Sequence, residues 1–218
     1  MRRKQLLSPQ HKKDRFKFAV NVLDNEVNWS NVVFADEKRF SLTGPDGWNR
    51  YWRDSKKKET IKINKASLRG GISIWAAFYG TKKLKLKFLD SANNAPNYCS
   101  ILESNLLPAI NVKKHILLHD NARIHFAKAT KLFLKAKKVK VQTIPAYSPD
   151  LNLMENVFSL LTRTVYEGGR QYSDIGSLMK AIKFAWNKIT PEDLSKLVSS
   201  MGSRLGSIVV KNGGVTKY

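Results

Sequence analysis

Runs of apolar residues along the chain predict the strands of a sheet. Residues 32–42 and 71–79 are rich in β-branched and aromatic residues, a composition typical of strands. Residues 83–89 alternate basic and apolar side chains, which predicts a half-exposed strand with a basic face. Two shorter apolar runs, at 115–120 and 139–144, bring the number of predicted strands to five.

Apolar residues spaced three and four positions apart predict helices between and after these strands. The predicted helices cover residues 10–23, 95–110, 122–138, 151–166, 173–189 and 191–201. Three strands therefore come first, strands then alternate with helices, and helices end the chain. This order predicts an α/β fold in which helices flank a mixed five-stranded sheet.

A segment at residues 44–70 interrupts this pattern between the first two predicted strands. It opens with turn-forming residues and then mixes aromatic with basic side chains. A segment of this length without a regular pattern is usually functional or disordered when it lies inside a compact domain. We therefore interpret residues 44–70 as a loop inserted into the domain.

The charge of the chain indicates a polyanionic partner. The 218 residues include 39 Lys and Arg against 17 Asp and Glu, for a formal net charge of +22 and a pI near 10.1. Such an excess is relieved by binding a polyanion, and nucleic acid is the usual one. The hydrophobic fraction of 42% is sufficient for a packed core and excludes a disordered basic tail. Composition alone also fits a nucleic-acid-binding protein without enzymatic activity.

Cysteine content and hydropathy indicate a nuclear or cytosolic protein. Cys99 is the single cysteine, so neither an intrachain disulfide nor a cysteine zinc site can form. No apolar run approaches the roughly 18–20 residues that span a membrane. The basic N-terminus is not followed by an apolar stretch, which argues against a secretory signal. We predict a nuclear location and no membrane partner.

Three acidic residues are candidates for a metal site. Asp36 lies within a predicted strand, Asp120 ends another, and Glu155 lies in the first turn of a predicted helix. Each one alone has an ordinary explanation, as an ion-pair partner, a helix N-cap or a surface acid. Carboxylate oxygens are, however, the ligands that Mg²⁺ prefers, and phosphoryl transfer with two metal ions needs little else from a protein.

The residues around these acids carry a family resemblance. Residues 119–122 read His-Asp-Asn-Ala and are followed by His125, while residues 145–152 read Pro-Ala-Tyr-Ser-Pro-Asp-Leu-Asn and are followed by Glu155. Ala-Asp-Glu stands at 35–37, and 34 residues separate the second acid from the third. The chain resembles the mariner superfamily of DDE transposases over most of its length. Its final Glu and its spacing are similar to those of the nematode Tc-type branch.

The resemblance implies a fold and a reaction. The fold would be RNase H-like, with Asp36, Asp120 and Glu155 as the catalytic residues and the ligands of two Mg²⁺ or Mn²⁺ ions. The reaction would be cut-and-paste transposition, in which hydrolysis frees the transposon ends and the 3′-hydroxyl is joined to TA target DNA by transesterification. The implied partners are the transposon-end and target DNA and a second copy of the chain in a homodimer.

The resemblance also implies a division of the chain and a set of DNA contacts. Residues 1–25 would be a basic linker or helix from an N-terminal DNA-binding region, and residues 26–218 the catalytic domain with the inserted loop. The loop would contact the partner subunit and its DNA, although its tryptophans could equally fill the protein's own core. The predicted DNA-binding residues are Trp48, Arg50, Trp52, Arg53, Lys56, Lys57, Lys58, Arg123 and His125.

Some neighbouring positions need a separate interpretation. Many relatives carry Pro where this chain has Arg123 and Leu153, but neither position carries a metal-binding oxygen. Asp150 precedes Glu155 by five residues, and we interpret it as a loop or helix-start residue. Glu37 should point to the face opposite Asp36 by strand alternation. Two alternatives stay open, namely a retired transposase that only binds DNA and an RNase H-like nuclease.

Overall fold

Six strands form one mixed sheet in the computed structural model, which describes residues 7–44, 70–89 and 94–218. The strands are β1 (Val32–Ser41), β2 (Gly71–Tyr79), β3 (Lys82–Lys83), β4 (Lys87–Leu89), β5 (Ile116–His119) and β6 (Lys140–Thr143). Their order is β3-β2-β1-β5-β6, and β4 also pairs with β2. The predicted strand at 83–89 therefore forms two short pieces on the same neighbour. The predicted mixed sheet is otherwise confirmed.

Helices cover both faces of this sheet. They are α1 (Pro9–Asp24), α2 (Ala95–Ile101), α3 (Arg123–Phe126), α4 (Lys128–Ala136), α5 (Leu153–Val165), α6 (Ile175–Lys188), α7 (Pro191–Ser199) and α8 (Met201–Val210). A π turn and a 3-10 turn extend α2 to Ala109. The predicted helix at 122–138 is divided at Ala127, where the backbone is extended. None of the helices in the described ranges combines the length and the apolar character needed to cross a bilayer.

The alternation of side chains along β1 divides the core in two. Val32 and Phe34 point to one face and pack against α1 and α5 to α8. Val33 and Ala35 point to the other face and pack against α2 and α4. All four side chains are at most 1% exposed, so β1 is buried on both faces. This explains why the first four residues of the strand, 32–35, are all apolar.

The strand register brings two of the candidate acids to one edge of the sheet. β1 runs antiparallel to β2 and parallel to β5, with Phe34 opposite Leu118. Continuing this register by two residues brings Asp36 level with Asp120. Because Asp36 and Phe34 share a face of β1, the carboxylate of Asp36 lies on the face covered by α5.

The final helix, α8, was not predicted. Glycine and serine at four of its ten positions lower its intrinsic helix propensity. Its buried side chains are nevertheless spaced as on one helix face, at Met201, Arg204, Leu205 and Ile208. This face packs against α1, which itself buries Ala19 in the same core. Tertiary burial therefore outweighs local propensity here. The predicted domain boundary at residue 25 stays a prediction.

A buried ion pair ties α1 to the segment before α5. Arg15 donates one hydrogen bond to each carboxylate oxygen of Asp150, both of 2.7 Å, and Thr216 donates to the same carboxylate. Burial raises the pKa of Asp150, but the hydrogen bonds and charge of Arg15 outweigh it and hold the pKa below its ordinary value. Asp150 lies in the 3-10 turn Pro149–Leu151, as its interpretation as a loop residue predicted.

Candidate active site

The three predicted acids line one cavity. Asp36, Asp120 and Glu155 come from β1, from the end of β5 and from α5, and the cavity they border has a volume of about 410 Å³. The loop of residues 144–149, which joins β6 to the 3-10 turn before α5, forms another wall. Elements far apart in sequence therefore bring three carboxylates to one open depression at the edge of the sheet.

Asp36 is the most buried of the three, at 9% exposure. Its Oδ1 accepts a hydrogen bond of 2.7 Å from the backbone N–H of Glu37, and its Oδ2 accepts one of 2.8 Å from the side chain of Asn152. The pKa of Asp36 is raised to about 7, mainly by burial and in addition by the negative charges of Asp120, Glu37 and Glu155, although the hydrogen bond from the backbone of Glu37 lowers it. The repulsion shows that the three carboxylates share one electrostatic environment.

Asp120 is held through one of its two carboxylate oxygens. Its Oδ1 accepts a hydrogen bond from the backbone N–H of Ala122 at 2.9 Å and lies 2.9 Å from Nδ1 of His125. The hydrogen bond with His125 is the main reason that the pKa of Asp120 lies below its ordinary value. The side chain is nevertheless 45% exposed, so it faces the open cavity as an anion.

Glu155 lies in the first turn of α5. Asn152 caps this helix, since its side-chain oxygen accepts a hydrogen bond from the backbone N–H of Met154 at 3.1 Å. The side chain of Glu155 is exposed, and the positive end of the helix dipole favours a carboxylate at this position. Asn152 thus both begins the helix that carries the third acid and donates to the first.

The chemistry of these residues fits divalent metal ions. Three carboxylates are hard oxygen donors of the kind that Mg²⁺ and Mn²⁺ bind. Burial is the main reason for the raised pKa of Asp36, and a cation would relieve the part that comes from repulsion by the neighbouring carboxylates. The three carboxylates do not converge on one point: in the described part of the chain, no group of three or more Asp, Glu, His or Cys side chains is arranged around a single ion position.

Two of the predicted DNA contacts fall within the described residues. Arg123 is exposed at the start of α3, three positions after Asp120. His125, in contrast, is 3% exposed and packs between other side chains. A ring buried in this way cannot reach DNA, so its prediction as a DNA contact does not fit the structure. The other predicted contacts lie outside the described residues: Trp48, Arg50, Trp52, Arg53, Lys56, Lys57 and Lys58.

Two further side chains of the site were not assigned a role from the sequence. Asn152 contacts Asp36 across 116 positions of the chain, and Glu37 approaches His125 from the adjacent strand. Asn152 is the last residue of the Pro-Ala-Tyr-Ser-Pro-Asp-Leu-Asn segment, so the sequence identified the segment but not the hydrogen bond from Asn152 to Asp36. Glu37 does point away from Asp36, as strand alternation predicted.

Comparison with known proteins identifies the family. A family model described as DDE superfamily endonuclease matches residues 31–179, which include all three acids. This chain belongs to the DDE superfamily endonucleases. The matched range begins just before β1 and ends within α6, and therefore contains the whole described sheet.

Nematode transposases are among the relatives of this DDE superfamily member. The chain is 40% identical over 217 residues to the "Transposable element Tc3 transposase" of Caenorhabditis elegans, covering 98% of this chain and 65% of that protein. It is 27% identical over 197 residues to the "Transposable element Tcb2 transposase" of Caenorhabditis briggsae, covering 88% of this chain and 71% of that one. The chain thus spans just under two thirds of the Tc3 relative's length. The predicted resemblance is confirmed.

Solved structures with the same fold include forms of the Mos1 transposase. The structure described as "Mos1 transposase paired-end complex with left transposon end" matches with a TM-score of 0.82 and 20% identity, over 98% of this chain and 65% of that one. The "catalytic domain of Mos1 mariner transposase" matches with a TM-score of 0.76 and 17% identity, over 98% of this chain and 99% of that one. The predicted RNase H-like fold is confirmed.

Proposed function

We propose that this chain is the catalytic domain of a cut-and-paste DNA transposase, which cleaves transposon ends by hydrolysis and joins the 3′-hydroxyl to TA target DNA by transesterification. The observation that carries the proposal is the meeting of Asp36, Asp120 and Glu155 at one cavity in a member of the DDE superfamily. The similarity to the Tc3 and Tcb2 transposases supports the same reaction.

In this proposal the three carboxylates would hold two divalent ions, Mg²⁺ or Mn²⁺. The described acids do not surround a single ion position, which fits a site in which each ion would be bound by only some of the three carboxylates. Metal ions held by these carboxylates would activate the attacking oxygen and stabilise the leaving one. The Mos1 structures that are described as complexes "with Mn" and with Mg support the use of divalent metal.

The chain's own residues then have separate tasks. Asp120 offers an exposed anionic carboxylate, whereas Asp36 is held by Asn152 at the floor of the cavity. Exposed Arg123, next to the cavity, is suited to contact a DNA phosphate. The net charge of +22 supplies an attraction to DNA that should weaken steeply with salt. We further propose that the protein acts in the nucleus, as a homodimer that pairs two transposon ends.

Cleavage and joining of transposon-end DNA in Mg²⁺ or Mn²⁺ tests the proposal. We expect Asp120→Asn and Glu155→Gln each to lower the rate by at least about 100-fold while DNA binding is kept, because each removes one anionic oxygen ligand. Glu103→Gln is the matched control, since Glu103 is an exposed acid that pairs with Lys137. Activity unchanged in either of the first two variants would mean that the assigned acids are wrong.

The same assay separates the alternative functions. A faster reaction on an RNA–DNA hybrid than on duplex DNA would indicate an RNase H-like nuclease instead. DNA binding without cleavage or joining, in a chain that carries its N-terminal DNA-binding region and is supplied with either metal, would indicate a protein that only binds DNA.

A further inference from the structure

A buried histidine stands behind the second acid of the site. Nδ1 of His125 lies 2.9 Å from Oδ1 of Asp120 and 3.1 Å from its backbone carbonyl oxygen. Nε2 of the same ring faces Oε2 of Glu37 at 3.6 Å, an ion-pair distance that is too long for a hydrogen bond. Glu37, His125 and Asp120 therefore form a row that runs from the buried side of β1 to the cavity.

Neighbouring rings fix the orientation of His125. The ring of His119 stacks on it with centroids 4.4 Å apart, and the ring of Tyr98 approaches it at 4.5 Å. The hydroxyl of Tyr98 and Nδ1 of His119 are 3.1 Å apart and form a hydrogen bond. Because all three rings are at most 3% exposed, the imidazole of His125 has little freedom to turn. Its two nitrogens are consequently directed at one carboxylate each.

We infer that His125, oriented by Glu37, is a positioning residue that holds Asp120 in the conformation required for metal binding. The inference rests on the proposed function, since it gives Asp120 a metal to bind. The contacts that the described residues make with the Asp120 carboxylate all go to Oδ1. This arrangement directs the other oxygen towards the cavity. A carboxylate that is 45% exposed would otherwise sample several rotamers and lose binding free energy when it became ordered.

Outer contacts of this kind have a measurable effect on metal affinity. Removing a residue that orients a metal ligand typically weakens binding about 10–100-fold. We therefore expect His125→Ala to weaken Mn²⁺ binding by at least about tenfold. The effect should be read by calorimetric titration of the whole chain with Mn²⁺ and by the rise in melting temperature that Mn²⁺ causes, neither of which depends on catalysis.

Two amide substitutions separate positioning from simple filling of space. The amide nitrogen of Asn can occupy the place of Nδ1 and donate to Asp120, whereas that of Gln takes the place of Nε2, on the side of Glu37. We expect His125→Asn to keep the Mn²⁺ affinity within about threefold of that of the unsubstituted chain. His125→Gln should lose about as much Mn²⁺ affinity as His125→Ala. Glu37→Gln should weaken binding by a smaller factor, because it removes the charge that orients the ring.

His115→Gln is the matched control. His115 is also a buried histidine, 7% exposed, but it precedes β5 at the end opposite Asp120. We expect this variant to shift the melting temperature without changing Mn²⁺ affinity. Equal affinity in His125→Gln and the unsubstituted chain would overturn the inference, and so would equal losses in His125→Asn and His125→Ala. If His125→Ala fails to fold, the inference is tested by comparing the Mn²⁺ affinities of His125→Asn, His125→Gln and Glu37→Gln.

Asp120→Asn distinguishes failure of the inference from failure of the proposed function. If Asp120→Asn leaves Mn²⁺ binding unchanged, the metal site itself is wrong and the inference fails with it. If Asp120→Asn weakens binding but His125→Gln does not, the metal site stands and only the positioning role of His125 is refuted.

Discussion

Replacing Arg15 with Met removes the cation beside a carboxylate that is only 8% exposed. Arg15 and Asp150 share two hydrogen bonds of 2.7 Å, and the carbonyl oxygens of Gly213 and Gly214 also accept from Arg15. Breaking a buried pair costs about 3–5 kcal/mol because an uncompensated charge is left behind. We expect Arg15→Met to lower the free energy of unfolding by this amount, which corresponds to a melting temperature lower by about 6–20 °C.

Urea denaturation at neutral pH, followed by circular dichroism, measures this loss. The matched control is Lys137→Met, which removes the cation from the exposed pair with Glu103 and should change stability by less than about 1 kcal/mol. The double variant Arg15→Met with Asp150→Asn should recover part of the loss, since no buried charge remains. A loss below about 1 kcal/mol in Arg15→Met alone would refute the reasoning.

The same pair predicts a pH dependence. The pKa of Asp150 in the folded chain lies below the ordinary value of 3.8, so its ionisation stabilises the fold above that pH. This stability is lost as the pH falls through the lowered folded-state pKa. In Arg15→Met the burial of Asp150 raises its pKa without opposition from Arg15, so the difference in free energy of unfolding between the two chains should narrow as the pH falls from 6 to 3. A difference that stayed constant from pH 6 to pH 3 would contradict the assignment.

Three further substitutions test other contacts. Asn152→Ala removes both the cap of α5 and a hydrogen bond to Asp36. Urea denaturation should show a free energy of unfolding lower by about 1–3 kcal/mol, and a loss below about 0.5 kcal/mol would exclude a role of Asn152 in holding Asp36. Gly213→Ala should lower the melting temperature markedly because φ is +80° and a Cβ would overlap a backbone carbonyl of α1, whereas Gly202→Ala, in open space on α8, should be neutral or stabilising. Lys83→Met removes an ammonium that donates to carbonyl oxygens at the end of α6. We expect thermal denaturation to show a free energy of unfolding lower by about 1 kcal/mol, and unchanged stability would mean that water satisfies these carbonyl oxygens equally well.

Local pattern was sufficient for most of the secondary structure. The apolar run at the start of β1 and the apolar spacing of α5 and α6 report burial directly, because each side chain's face follows from its position in a regular element. The missed helix, α8, shows the limit of this reasoning. Its glycines and serines favour no helix on their own, and the face that stabilises it becomes visible only when α1 packs against it.

The sequence by itself determined the candidate chemistry. The segments around Asp36, Asp120 and Glu155 identified the acids and their family, because the family's motifs are short stretches of adjacent residues. It did not determine which side chains support those acids. His125 was predicted from its neighbours to touch DNA, whereas the fold buries it between Asp120 and Glu37.

Only the tertiary structure decided the contacts that join distant parts of the chain. The parallel pairing of β1 with β5 brings Asp36 level with Asp120, and the hydrogen bonds between Arg15 and Asp150 connect residues 135 positions apart. Such contacts form when whole elements pack to bury their apolar faces, so their partners are selected by geometry in three dimensions. Periodicity reports which face of an element is buried, but it does not report which element covers that face.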